Sequence, residues 1–257
     1  ESFNIIEDAD TSNTKLEINL ADGGASADLS SLTFTGSSWD NSSSVSANDD
    51  DIDINGGSGD DTIVGTSQHD VIDGNAGVDN ITGGSGDDTI TGGAGNDILD
   101  GGAGADVFNY VDNNGEDTIN GFLKGTDHLS FDGITDITAI TGTGVNADAS
   151  AASLTDGAVY VFADGNDGTS TEDIDTYAGT GAKADVASFL AAAFSDEGAD
   201  DEFVAVINDV AGNATHAYLV DYDAGNGGSG AIDADAITLL GTINEAADAA
   251  LTTAEIL

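Results

Sequence analysis

Residues 56–109 consist of six consecutive units of nine residues, GGSGDDTIV, GTSQHDVID, GNAGVDNIT, GGSGDDTIT, GGAGNDILD and GGAGADVFN. The sixth position of every unit is an aspartate: Asp61, Asp70, Asp79, Asp88, Asp97 and Asp106. The eighth position is always large and apolar: Ile63, Ile72, Ile81, Ile90, Leu99 and Phe108. A disordered Gly/Asp linker has no reason to keep an apolar residue at every ninth position. The segment therefore predicts a folded repeat.

Each unit combines a glycine-rich loop with a short strand. Glycine adopts positive φ without steric cost, so the loop can turn tightly and present its carbonyl oxygens. Aspartate adds a carboxylate, and Ca²⁺ prefers about six to eight oxygen ligands. A G-G-x-G-x-D-x-U-x nonapeptide is the sequence pattern of calcium-binding parallel β-helices. Two units would make one turn of a flattened coil, so we expect loops two units apart to stack, with Asp61, Asp79 and Asp97 along one edge. Asp70, Asp88 and Asp106 would line the other edge.

These units resemble the RTX (repeats in toxin) family. The resemblance implies a β-roll that folds on binding several Ca²⁺ ions, and export through a type I secretion channel. It also implies that the aspartate at position six ligates the metal together with backbone carbonyls of the glycine-rich positions. Carried over to this chain, those positions are Gly57, Gly59, Gly84, Gly86, Gly93, Gly95, Gly102 and Gly104.

Two units depart from the pattern. The second has Thr66 and Gln68 where glycine is usual, and the third has Asn75. We expect sites that use these loops to be weaker or differently ligated. His69 precedes the aspartate of the second unit and is expected to be a loop side chain and not a ligand.

The composition favours a hard cation as partner. Three Lys and Arg residues stand against 49 acidic ones, 40 Asp and 9 Glu, and the net charge is −46. Such a chain cannot replace the counterions of nucleic acid, and anionic membranes would repel it. Salt adaptation is the alternative, but it does not require the bias to Asp. The chain has no Cys, which excludes thiolate zinc sites, and no Met, which predicts a processed product or a fragment. No apolar run is long enough to span a membrane.

The segments around the repeats suggest four regions in a mainly β protein: a parallel β-roll with a β-rich segment before it and a smaller α+β unit after it. Residues 1–55 are predicted to continue the strand ladder, through Ile54 and Val45 and the alternating KLEINL segment, and to end a larger β-rich region. Residues 56–111 form the roll, and residues 112–135 cap it. In the cap, Asp117 follows Asp106 by eleven residues and is a further candidate ligand, while Phe122, Leu129 and Phe131 would seal the apolar end.

Residues 136–257 are predicted to form the α+β unit with a secretion signal. A helix is expected around AKADVASFLAAAF, two strands are expected in DEFVAVIND and ATHAYLVDYD, another strand in AITLLGTI, and a terminal helix in EAADAALTTAEIL. Two Asp-rich loops, at residues 164–167 and 221–235, offer further oxygen atoms. We interpret both loops as polar turns, because neither has EF-hand spacing.

No catalytic motif accompanies the repeats, neither a G-x-S-x-G nucleophile elbow nor an H-E-x-x-H metal motif. We therefore expect no enzyme activity. The composition is similar to that of RTX-type S-layer proteins, which implies a secreted protein at a bacterial cell surface. Such a protein would self-associate through calcium-bridged acidic faces, with cell-surface polysaccharide as a further partner. Two alternatives remain: the folding and secretion module of an RTX protease or lipase, and a calcium-dependent adhesin.

Overall fold

The structure is a computed structural model of the 257-residue chain. It describes residues 2–7, 14–20, 22–31, 52–112, 114–134, 144–146, 158–163, 190, 201–209, 214–222, 237–245, 251 and 253–257. Among these residues no helix is long and apolar enough to cross a membrane.

The described residues include seventeen strands and one short 3-10 helix. The strands are β1 (Ser2–Glu7), β2 (Thr14–Asn19), β3 (Ser26–Asp28), β4 (Ile52–Ser58), β5 (Thr62–Val64), β6 (Asp70–Ala76), β7 (Asn80–Ser85), β8 (Thr89–Thr91), β9 (Ile98–Ala103), β10 (Val107–Val111), β11 (Asp117–Phe122), β12 (His128–Gly133), β13 (Gly144–Asn146), β14 (Ala158–Ala163), β15 (Asp201–Asp209), β16 (Ala214–Tyr222) and β17 (Ile237–Glu245). The 3-10 helix is Thr253–Glu255.

The strands lie in two sheets, and successive strands of the repeats belong to one sheet and then to the other. The first sheet has the order β1-β2-β4-β6-β8-β10-β12, and the second has the order β13-β14-β15-β16-β17-β11-β9-β7-β5-β3. Within the repeats every strand pairs in parallel with the strand two units later, as in β5 with β7 and β6 with β8. The prediction of a mainly β chain with a parallel β-roll is confirmed.

The apolar residue at position eight forms the core of the roll. Ile54, Ile72, Ile90 and Phe108 lie opposite one another along the first sheet. Their counterparts along the second sheet are Ile63, Ile81, Leu99 and Ile119. All eight side chains are at most 2% exposed. Burying an apolar side chain of this size contributes roughly 1.5–3 kcal/mol to stability. The contacts between these two rows of core residues therefore hold the two sheets together.

The roll begins one turn before the repeats. β2 pairs in parallel with β4, so that Ile18 lies opposite Ile54, and β3 pairs with β5, so that Ala27 lies opposite Ile63. The predicted ladder is therefore correct at Ile54 and in KLEINL, but the place expected for Val45 is occupied by Ala27. Val45 itself lies outside the described residues.

The roll also continues beyond the predicted cap. Phe122, Leu129 and Phe131 are buried as expected, and Phe131 stacks on Tyr110 with ring centroids 5.1 Å apart. They are not the last layer, because β17 pairs in parallel with β11 and sets Ile243 opposite Ile119. The second sheet thus extends directly into the C-terminal strands.

The C-terminal strands match the sequence expectations, whereas the chain end does not. β15 and β16 form the expected antiparallel pair, and β16 pairs with β17. Leu190 is helical and buried, and the rest of its predicted helix lies outside the described residues. The prediction of a terminal α-helix is wrong for residues 253–257. Ile256 instead bridges to Leu129, and the Leu257 N–H donates to the Leu129 carbonyl at 2.9 Å.

Candidate metal site

The stacked loops bring the aspartates of position six into two files. The backbone N–H of Asp61 donates to Asp79 Oδ1 at 2.7 Å, and the N–H of Asp79 donates to Asp97 Oδ1 at 2.8 Å. On the other side the backbone N–H of Asp70 donates to Asp88 Oδ1, and the N–H of Asp88 donates to Asp106 Oδ1, both at 2.9 Å. The predicted division into two edges is confirmed. We refer to these rows as the first and second Asp files.

Each file is longer than the repeats. The N–H of Asp97 donates to Asp117 Oδ1, and the N–H of Asp106 donates to Asp127 Oδ1, both at 3.1 Å. Asp127 was missed as a site residue. Its signal is present in the sequence, because Gly125, Asp127 and Leu129 have the spacing of positions four, six and eight. All eight aspartates of the two files are buried.

Five of these carboxylates keep one oxygen unpaired. Oδ2 of Asp61, Asp79, Asp88, Asp97 and Asp106 is buried and has no hydrogen-bond partner within the described part of the chain. A buried charged oxygen without a partner is costly, more so than the 1–3 kcal/mol or so of a neutral polar group. Each such oxygen lies beside the glycine at position one of its own loop. A cation bound at these oxygens would remove this cost.

Glycine is required in these loops because the backbone is left-handed and the stack is tight. All eight glycines predicted from the resemblance have positive φ. A Cβ at Gly93 would overlap the carbonyl oxygen of Asn75, and a Cβ at Gly95 would overlap that of Gly77. Carbonyl oxygens of positions two and four therefore point toward the next loop of the stack. Asn75 itself has φ 70°, a conformation that Asn tolerates better than other side chains do.

In three aspartates a protein donor already binds the Oδ2 atom, and we call these aspartates and their loops closed. Asp70 Oδ2 accepts the Thr66 N–H at 2.6 Å, and Asp70 Oδ1 accepts the Thr66 hydroxyl at 3.1 Å. Asp127 Oδ2 accepts the Leu123 N–H at 2.7 Å, and Asp117 Oδ2 accepts the Asn114 amide. Sequence reasoning did not find Leu123 or Asn114, because both lie outside the nonapeptide pattern.

Burial and mutual repulsion make the carboxylates hard to ionise. Burial raises the pKa of Asp88 to about 8, and the nearby carboxylates of Asp70 and Asp106 contribute to this rise. Burial likewise raises the pKa of Asp70 and Asp117 to about 7, and that of Asp79 and Asp106 to about 6. A divalent cation would reverse this effect, because it favours the ionised form of each carboxylate.

The available ligands fit calcium. No point within the described ranges gathers three or more His, Cys, Asp or Glu side chains, so a site made of side chains alone is not present there. The five loops with an unpaired Oδ2 instead offer one carboxylate oxygen each, together with backbone carbonyls. These are hard oxygen ligands of the kind that Ca²⁺ accepts. Calcium would supply the positively charged partner that the unpaired Oδ2 atoms lack.

The described residues do not test the other candidate positions. His69 lies at position five of the second loop, half-buried, and the structure does not test its expected role. The loop at 164–167 lies outside the described residues, as does most of 221–235, of which Asp221 and Tyr222 belong to β16.

Comparisons with known proteins match the repeat segment. The family model described as "RTX calcium-binding nonapeptide repeat (4 copies)" matches residues 55–90 and 73–108. One solved structure with similarity is the AlgE6R3 subunit of a mannuronan C5-epimerase from Azotobacter vinelandii. It has a TM-score of 0.40 and 20% identity over 78% of each chain. No curated protein is significantly similar in sequence to the chain.

Proposed function

We propose, from the premise that residues 55–108 are calcium-binding repeats of the RTX family, that this chain is a secreted structural protein of a bacterial cell surface. It folds on Ca²⁺ and self-assembles through calcium-bridged acidic faces, as an S-layer subunit or the C-terminal part of one. The proposal gives the chain no catalytic activity of its own. The observation that carries it is the set of five buried carboxylate oxygens without a protein partner among the described residues.

Calcium-dependent folding follows from the energetics of those oxygens. Without a cation the folded roll must hold five unpaired buried acceptors and two files of mutually repelling carboxylates. A bound calcium ion would pair with the buried acceptors and reduce the repulsion between the carboxylates. Metal binding and folding therefore become one event. A chain of this kind stays unfolded at low free calcium and folds where calcium is abundant, which supports an extracellular location.

Self-assembly is supported by charge. The net charge of −46 far exceeds what the buried files contain, so most carboxylates remain to be neutralised elsewhere. Divalent cations bound between acidic faces of neighbouring copies would neutralise that charge and hold the copies together. Cell-surface polysaccharide is a further proposed partner.

Electron microscopy of the purified chain, in millimolar Ca²⁺ and again in chelator, tests the proposal. We expect ordered sheets or filaments that disappear in chelator. Folded single particles in Ca²⁺ would contradict self-assembly and favour a folding and secretion module or an adhesin. Assembly that persists in chelator would contradict the calcium bridges.

The role of calcium in folding is tested separately by circular dichroism during a calcium titration. Asp97→Ala removes one of the unpaired carboxylates and should raise the calcium concentration at the folding midpoint. Asp53→Ala, at a partly buried position of β4 outside both files, is the matched control and should leave the midpoint nearly unchanged. Equal midpoints for Asp97→Ala and the unsubstituted chain would show that Asp97 is not a ligand.

A further inference from the structure

The backbone at position two of the loop separates the five aspartates with a free Oδ2 from Asp70 and Asp127, two of the three that are closed by the protein. In the five loops with a free Oδ2, position two has positive φ; these residues are Gly57, Asn75, Gly84, Gly93 and Gly102. In the loop of Asp70, position two is Thr66, and in the loop of Asp127 it is Leu123. Neither has positive φ.

The geometry explains the difference. In both exceptional loops the N–H of position two donates to Oδ2 of the aspartate four residues later, at 2.6 Å from Thr66 and 2.7 Å from Leu123. Threonine and leucine strongly disfavour the left-handed region because of their side chains. Their backbone therefore keeps negative φ and turns the N–H toward the carboxylate. A left-handed residue at position two leaves Oδ2 without this donor.

We infer that the residue at position two decides whether a loop takes a calcium ion. The inference rests on the proposed calcium function and assigns it loop by loop. The loops of Asp61, Asp79, Asp88, Asp97 and Asp106 each hold one ion, whereas the loops of Asp70 and Asp127 are closed by their own backbone. Asp117 is also closed, by the Asn114 side chain. Three of the eight aspartates in the files thus replace a cation with a protein donor.

The closed loops have a consistent place in the roll. Asp117 and Asp127 end the two files, and Asp70 begins the second file within the repeats. Ions therefore occupy the interior of the second file, and hydrogen bonds close both of its ends. The first file is closed at its Asp117 end alone. At its other end Asp61 Oδ1 accepts the Ala25 N–H, while its Oδ2 stays unpaired.

The second loop offers a gain-of-function test. Thr66→Gly with Gln68→Gly converts this loop to the glycine pattern of its neighbours and should release Asp70 Oδ2. Native mass spectrometry of the full chain in calcium should then count one more tightly bound ion than in the unsubstituted chain. Gln68→Gly alone is the matched control: it changes the same loop at position four, leaves Thr66 in place and should add no ion.

Two further variants locate the ions. Adding Asp70→Asn to the double variant should remove the extra ion, and Asp79→Asn in the unsubstituted chain should remove one ion. No gain in the double variant would overturn the inference, and so would an equal gain in Gln68→Gly alone. A chain that binds no calcium at all would contradict the proposed function itself, so the two failures are distinguishable.

Discussion

Replacing Gly93 by alanine tests whether the calcium loops depend on close stacking as well as on left-handed backbone. Gly93 has φ 98°, and a Cβ there would overlap the carbonyl group of Asn75 in the neighbouring loop of the stack. Gly125 also has positive φ, 78°, but a Cβ there meets nothing within 4 Å. Gly125→Ala is thus a control for backbone strain alone.

The two effects have separate magnitudes. A side chain in left-handed backbone costs about 1–2 kcal/mol, and this cost applies to both variants. Forcing an extra methyl into a packed site adds about 1–3 kcal/mol, and this applies to Gly93→Ala alone. We therefore expect a loss of stability of roughly 2–5 kcal/mol for Gly93→Ala and about 1–2 kcal/mol for Gly125→Ala.

Urea unfolding of the full chain in saturating calcium, followed by far-ultraviolet circular dichroism, measures both losses. The Asn75 carbonyl that the added methyl group would displace lies in a calcium loop, so Gly93→Ala should also need more calcium to fold. Equal losses for the two variants would refute the reasoning, because they would show that the stacked loops can separate at no cost.

Three further results are expected. Ile90→Ala should destabilise the roll by about 2–5 kcal/mol, because Ile90 is fully buried, whereas Ile98→Ala, at a side chain 46% exposed, should cost well under about 1 kcal/mol in the same urea assay; similar losses would contradict the assigned core. In chelator, lowering the pH from about 8 should stabilise the roll, since the folded state raises the carboxylate pKa values to about 6–8 and therefore binds more protons than the unfolded chain. The gain should be complete below about pH 4, the ordinary pKa of Asp. It should appear as a growing β-sheet signal in far-ultraviolet circular dichroism, and a β-sheet signal that weakens with acidification would contradict it. In calcium the opposite holds: the midpoint of calcium-induced folding should move to higher concentration as the pH falls, because protons compete with the ion for the same oxygens. A midpoint that stays constant between pH 8 and pH 5, or thereabouts, would contradict carboxylate ligation.

The repeats were predictable because their signal is local. A nine-residue period fixes which residue points inward and which carboxylate joins which file, and Ile81 or Asp79 could be placed from spacing alone. Glycine at positions two and four also indicates directly that the backbone there has positive φ. Thr66 was likewise visible as a departure, although its effect on Asp70 was not.

Other features depended on contacts between distant parts of the chain. Ala27 lies opposite Ile63 across a long intervening segment, which shifts the expected nine-residue spacing away from Val45. β17 joins β11 although more than a hundred residues separate them, and Ile256 follows Leu129 instead of ending a helix. Sheet edges accept any strand with suitable register, and the sequence of one strand does not identify its partner.

By itself the sequence determined the roll, its core and the six aspartates of the repeats, because each nonapeptide carries its own turn, ligand and apolar anchor. Only the tertiary structure decided which carboxylate oxygens remain unpaired. That outcome depends on whether a backbone N–H or an amide such as Asn114 lies within hydrogen-bond distance. The distance is set by the φ angle of one loop residue and by the stacking of loops eighteen or more residues apart.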